Sequence, residues 1–282
     1  MTSLPSWSDY GTYDESAHPD LWDGVVGYWA PCLGPTGLRL HDVSRWNNWG
    51  TLTNMEQDTD WIVSNGRYAL DFGGGEYTTG ATAPIAGTVN FTLSTWVYIY
   101  STGQTAPDGV FPILGQKPPT LAGAGVLIYY WYSGALAQKL TISTGNGSTG
   151  SQVDTSSATA IQNQWAHIAF VRKNGATNSG VFVVNGIEFP LASSLSVLDV
   201  TTTSAFRIAT DGSAFRVGRF ICSDATVWNR ALSIDEIRDL YRIGAGGMLQ
   251  RKPRRRAYSI PSAFRAHYAT QRNAQLIGGG LK

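Results

Sequence analysis

Phe91-Thr92-Leu93-Ser94-Thr95-Trp96-Val97-Tyr98-Ile99 sets apolar residues against hydroxyl-bearing ones over nine positions. Side chains of a strand alternate between its two faces, so this segment reads as a half-buried β-strand. The same alternation recurs at Trp165–Arg172. There Trp165, His167, Ala169 and Val171 fall on one face, and Ala166, Ile168, Phe170 and Arg172 on the other. Val181-Phe182-Val183-Val184 runs into Asn185-Gly186, a two-residue hairpin signal, and Ile187-Glu188-Phe189 supplies the second arm. Further short runs stand at 25–29, 68–72, 126–132, 140–143, 206–208, 215–220 and 225–228. Many of the 32 glycines fall between such runs, and about a dozen short strands with turns between them predict an all-β sandwich.

One helix is expected after the last strand. Ser233 is a suitable N-cap, Glu236 three residues on completes a capping box, and Ile234, Ile237, Leu240 and Tyr241 keep helical spacing. Gly244, Gly246 and Gly247 end it. The chain therefore divides into an irregular arm over 1–23, a β domain over 24–241, and a tail over 242–282. The tail holds nine Lys or Arg and no acid, whereas residues 1–241 hold 12 basic and 20 acidic residues, a net of −8 inside an overall +1. A basic tail on an acidic body predicts an attachment arm. Arg251, Lys252, Arg254, Arg255 and Arg256 supply its charge; Phe264 and Tyr268, on an amphipathic helix starting near Ser262, supply apolar anchors. The two cysteines, Cys32 and Cys222, exclude a disulfide framework. No secretory signal is read at the N-terminus, and no apolar run is long enough for a membrane span.

Seven segments, in order, carry a resemblance. They are Gly27-Tyr28-Trp29, Leu40-His41-Asp42-Val43-Ser44, Ala69-Leu70-Asp71-Phe72-Gly73, Phe91 to Val97, Trp165-Ala166-His167-Ile168-Ala169, Val183-Val184-Asn185-Gly186, and Asn229-Arg230-Ala231-Leu232-Ser233 with Glu236-Ile237 and Leu240-Tyr241. Together they resemble the laminin-G-like branch of the concanavalin A-like lectin/glucanase superfamily. The resemblance implies a jelly-roll sandwich with one short C-terminal helix and an extended basic tail. It leaves function open, because this fold carries lectins, adhesins, hydrolases and spacers. The tail segment Gly246-Gly247-Met248-Leu249-Gln250-Arg251-Lys252-Pro253-Arg254-Arg255-Arg256 is similar to tails of tailed-phage structural-module proteins. That likeness implies a non-enzymatic virion accessory protein, such as a capsid decoration, fibre or spike component. It would dock on capsid or tail proteins through the basic arm. A glycan-binding adhesion module of a cellular or secreted protein is the alternative. Nucleic acid is the less favoured partner, no membrane is expected, and a homo-oligomer is compatible with either reading.

The candidate sites follow. Tyr130, Trp131 and Tyr132 are candidate sugar-stacking rings, although alternation sends Tyr130 and Tyr132 one way and Tyr129 and Trp131 the other. The resemblance implies calcium held by loop acids, for which Asp42, Asp71 and Asp224 are the candidates. Hydrolases of this superfamily set carboxylates at period two along a strand. The nearest approach here, Glu56-Gln57-Asp58-Thr59-Asp60, reads as a solvated turn, so no catalytic residues are expected. Cys32 follows the first strand and Cys222 precedes the last, so antiparallel pairing of those strands would bring them near each other, with free buried thiols favoured.

Overall fold

The computed structural model describes residues 17–249, apart from 88–89, 105, 174–179, 197, 214–215 and 217. The chain separates into two units, 1–250 and 251–282. The proposed docking residues Arg251, Lys252, Arg254, Arg255, Arg256, Phe264 and Tyr268 lie outside the described residues.

The first unit is a sandwich of two antiparallel sheets, each of eight described strands. The first sheet contains β1 (Val25–Trp29), β4 (Trp61–Ser64), β5 (Arg67–Phe72), β7 (Phe91–Ile99), β12 (Trp165–Arg172), β13 (Gly180–Val184), β14 (Ile187–Pro190) and β16 (Phe220–Trp228). Their order is β14-β13-β12-β7-β16-β5-β4, with β1 on the second half of β16. The second sheet contains β2 (Arg39–Leu40), β3 (Gly50–Thr53), β6 (Tyr77–Gly80), β8 (Val110–Gly115), β9 (Gly125–Trp131), β10 (Leu140–Gly145), β11 (Gly150–Asp154) and β15 (Arg207–Ile208). Their order is β11-β10-β9-β8-β15-β6-β3-β2. This is the all-β sandwich that the alternation predicts, and the jelly-roll that the resemblance implies.

Period-two patterning fills the space between the sheets. Leu93 and Val97 of β7 and Ile168 and Phe170 of β12 meet Ile128 and Tyr130 of β9 and Ile142 of β10 in one core. A second apolar cluster covers the other face of the first sheet. Ala169, Val171 and Trp228 pack there against Ile237 and Leu240 of α2 (Ile234–Ile243), Trp22 of α1 (Pro19–Trp22) and Met248. All nine residues of β16 are therefore buried, Ser223, Asp224 and Thr226 included. The expected capping box is present, with the Ser233 side chain accepting from the Glu236 N–H. Asn185 and Gly186 both adopt positive φ, +51° and +79°, as a type I′ hairpin requires.

Two local readings change. The runs at 215–220 and 225–228 were expected as separate strands; the structure has one strand from Phe220 to Trp228. It is bent by a bulge at Asp224, whose φ is +52°, with the register shifting between Ser223 and Thr226. A left-handed Asp looks like a turn in a sequence. The cysteines also separate. β1 does pair antiparallel with β16, yet Cys32 sits in the outer cluster and Cys222 in the inter-sheet core, and both are free. Burial raises both thiols, Cys222 to about 12. An aromatic disulfide reagent should therefore find no reactive thiol in the native protein and two per chain in guanidinium. A thiol titrating at native pH would refute that placement.

Candidate functional site

Register places a lateral row on the outer face of the second sheet. Arg39 lies opposite Thr51, Thr51 opposite Thr79, and Thr79 opposite Arg207. Arg207 in turn lies opposite Gly115 and Gly115 opposite Leu127. A cavity of about 590 Å³ opens beside Arg207. Its walls include Asn54, Tyr77, Thr79, Thr210 and Ser213, with Gly74, Gly75 and Gly212 contributing backbone. A more open cavity of about 410 Å³ lies between Asp108, Pro119 and Arg216, and Ser213 lines both.

The segment carrying Ser213 is held by its own electrostatics. The Asp211 carboxylate accepts the Ser213 N–H at 2.8 Å, the Ser213 hydroxyl at 2.6 Å and the Tyr129 hydroxyl at 3.3 Å. Arg216 reaches Asp211 at 3.6 Å and Asp108 at 2.7 Å. Its guanidinium lies over the Tyr129 ring, 5.8 Å from the centroid. Asp211 and Asp108 are thus both spent on Arg216. Arg207 has no ion pair among the described residues, and its buried Nη1 has no hydrogen-bond partner. Gly212 packs against it: a Cβ there would lie 3.3 Å from the Arg207 Cζ.

The residues expected to stack on sugar are divided by the strand. Tyr130 is fully buried between the sheets, its ring 5.7 Å from that of Phe111. Tyr132 is half-buried against the same core and donates its hydroxyl to the Ala106 carbonyl. Trp131 alone of the three lies on the outer face, half-buried, with Nε1 donating to the Thr141 hydroxyl at 2.8 Å. Tyr130 is therefore unavailable for stacking, because the inter-sheet core claims its ring.

The candidate calcium ligands do not converge. Asp42 is buried and accepts the N–H groups of Tyr28, Ser44 and Asn48 at 2.7–2.8 Å, which fixes the loop after β2. Asp71 accepts from the Tyr100 hydroxyl at 3.0 Å. Asp224 is buried at its bulge, where it accepts the Gly246 N–H and contacts Cys32. Burial raises its carboxyl, against the pull of these donors and Arg67. Among the described residues no group of three or more His, Cys, Asp or Glu could hold a metal ion. Glu56, Asp58 and Asp60 lie in an exposed turn, where Asp60 caps the Glu56 N–H at 2.7 Å.

A second aromatic surface lies on the outer face of the first sheet. Trp96 stacks on Tyr241 at 5.7 Å, and Tyr98 meets Trp165 edge-on at 6.2 Å. A cavity of about 150 Å³ opens between Trp96, Trp165, Tyr68 and Arg67. Sequence reasoning misses this surface and the Arg207 cavity alike, since both depend on which strands become neighbours.

The sandwich matches known proteins. The model of the concanavalin A-like lectin/glucanases superfamily matches residues 72–238, more than half of the chain, and the chain belongs to that family. A Trypanosoma rangeli sialidase in complex with sialic acid superposes with a TM-score of 0.55 at 20% identity, covering 81% of this chain and 34% of that one. A Trypanosoma rangeli sialidase mutant displaying trans-sialidase activity gives 0.53 at 21%, with coverage of 81% and 34%. The botulinum neurotoxin serotype D binding domain gives 0.56 at 13%, with coverage of 80% and 52%. The chain thus spans about a third of the sialidases and about half of the toxin chain. No curated protein sequence matches it.

At these identities the likeness is one of fold, and it corrects two expectations. The matched structures are sialidases and a toxin binding domain, so the assignment to a virion accessory structural protein is set aside. The exclusion of enzymes is set aside with it, because this fold occurs within enzyme chains.

Proposed function

We propose that the domain is a carbohydrate-binding, lectin-like module whose ligand occupies the 590 Å³ cavity on the outer face of the second sheet. One observation carries the reading. Asn54, Thr79, Thr210 and Ser213 line one cavity with the single ring of Tyr77. The Asn54 amide, the Thr210 hydroxyl and the Ser213 hydroxyl are each oriented by a hydrogen bond within the protein. A sugar offers both things such a wall needs: hydroxyls for hydrogen bonds, and a patch of C–H groups for an aromatic face. The superfamily and the toxin binding domain's shared fold support a binding role. The cavity on the first sheet is smaller, about 150 Å³, and brings three rings, Tyr68, Trp96 and Trp165, to its wall.

Glycan-array screening followed by calorimetry tests this. Saturable binding is expected, weakened at least tenfold by Tyr77→Ala and by less than twofold by Trp96→Ala, measured at a temperature where circular dichroism shows both variants folded, since each ring also packs against its sheet. A tenfold loss is about 1.4 kcal/mol, within reach of one ring–sugar contact. An empty array, or loss on Trp96→Ala in place of Tyr77→Ala, would overturn the assignment.

A further inference from the structure

We infer that the ligand of this face is an acidic oligosaccharide. One carboxylate or sulfate is taken by Arg207, and the chain runs across the strands toward a second negative group at Arg39. The inference rests on the carbohydrate-binding reading and specifies its ligand class.

The first observation is an imbalance. Two cations of this face, Arg216 and Arg207, lie on neighbouring segments, and acids pair with only one of them. Asp108 and Asp211 both go to Arg216. Glu76, close by in the chain, turns its carboxylate to the Gly75 N–H at 3.0 Å. Arg207 keeps a buried Nη1 with no partner while lining an open cavity. A buried donor without an acceptor is costly, and more so when it is charged. Nη1 itself is closed off, so a ligand carboxylate or sulfate is met by the part of the guanidinium that faces the cavity, whose planar fork can offer two parallel N–H···O bonds. Gly212 behind the guanidinium leaves the fork no side chain to clash with.

The second observation is the row itself. Arg39, Thr51, Thr79 and Arg207 are register partners on four adjacent strands. Strands lie ~4.8 Å apart, so the two Arg backbones stand ~14 Å apart on one face. Arg39 is exposed, has no ion pair among the described residues, and lies over the Trp49 ring, 5.7 Å from its centroid. Two hydroxyls between two free guanidiniums make a track longer than one sugar ring. A ligand that fills it is an oligomer with charged groups on more than one unit.

The full-length protein is titrated with a galacturonate trisaccharide, its neutral methyl ester, and a sulfated neutral trisaccharide. The carboxylate and sulfate arms separate the two sources of negative charge. At least one anionic arm should bind tenfold or more tighter than the ester. Arg207→Gln should bring it down to the level of the ester, and Arg39→Gln should weaken it a few-fold and flatten its salt dependence. Arg207→Lys should recover only part, because an ammonium lacks the fork. The basic tail is present in every protein compared, so the differences report these two arginines. Arg207→Gln removes an unsatisfied buried donor and should melt no lower than the wild type. Equal binding of ester and acids, or an Arg207→Gln variant with full affinity, overturns the charge inference alone. Failure of every glycan, neutral ones included, overturns the parent reading with it.

Discussion

Gly125→Ala is expected to destabilise the domain by about 4 kcal/mol or more, among the most damaging single substitutions. Gly125 begins β9 with φ at +126°, in a region that L side chains rarely adopt. A Cβ there would lie 1.8 Å from the backbone oxygen of Gln116. That oxygen cannot retreat. The Gln116 N–H donates to Val126 O at 2.7 Å, and its buried side-chain amide accepts the Ile85 N–H at 2.9 Å while donating to the Ile85 carbonyl. Gly125, Gly145 and Gly150 are successive register partners on β9, β10 and β11. The carbonyls of Leu121 and Gly123 crowd the other two in the same way. The 116–123 loop therefore lies flat across three strand ends. Gly134→Ala is the control: its φ is +81° with open space around it, so it should cost only about 1–2 kcal/mol. Urea unfolding measures both. A Gly125→Ala cost no larger than that of Gly134→Ala would mean the loop is not seated there.

That loop marks where the sequence stops being legible. β7 and β12 are readable to the residue although most of both their faces is buried, because apolar and hydroxyl residues alternate along β7 and no turn-forming residue interrupts β12. The 185–186 hairpin and the capped helix are readable for a local reason: the turn and the cap each need particular residue types within a few positions. β2, β3 and β6 are not. They are two to four residues long, β3 and β6 being mostly Thr and Gly, and become strands only because neighbours complete their hydrogen bonds. β15 is legible as a short run at 206–208, but its neighbours are not. β16 hides behind its bulge, since burial on both faces removes the alternation and Asp224 imitates a turn.

The candidate site falls in the illegible part. The run 129–132 is conspicuous for four aromatic rings in a row, and alternation splits them. What alternation cannot say is which half faces the core. Tyr130 went inward, and Tyr129 was closed off by Asp211 and Arg216. Arg207, by contrast, sits in an unremarkable Phe-Arg-Ile run. Its place on the outer face, and the lack of an acid for it, follow from β15 lying between β6 and β8. Asp42 and Asp224 are calcium candidates only because the resemblance implies loop acids at those places. Each is instead occupied with backbone N–H groups that shape a loop or a bulge.

His167 predicts a second large effect, on the pH dependence of stability. It lies on the outer side of β12, wholly enclosed by the terminal segments, with Trp96 at 5.3 Å and Tyr241 at 6.5 Å. Nε2 is 2.7 Å from the Ser94 hydroxyl, and the buried Nδ1 has no partner among the described residues. Burial holds the imidazole at about 3. In the unfolded chain a histidine titrates near 6.5. The folded value is depressed for a base, so the unfolded state takes up the proton first. Above about pH 6.5 neither state is protonated and His167 contributes no pH dependence. Below it, the unfolded state gains about 1.4 kcal/mol per pH unit until the folded value is reached, roughly 3 kcal/mol by pH 4.5. His41, also lowered by burial, acts in the same direction but is only partly enclosed. Urea unfolding of the wild type and His167→Asn from pH 7.5 to 4.5 separates the residue from everything else that titrates, because the remaining groups are common to both. The variant should start less stable at pH 7.5, having lost ring packing, and then lose stability less steeply below pH 6.5, so that the two curves converge. Parallel curves would show that the imidazole takes up its proton without leaving the folded state, and that the terminal segments do not seal this face of the sheet.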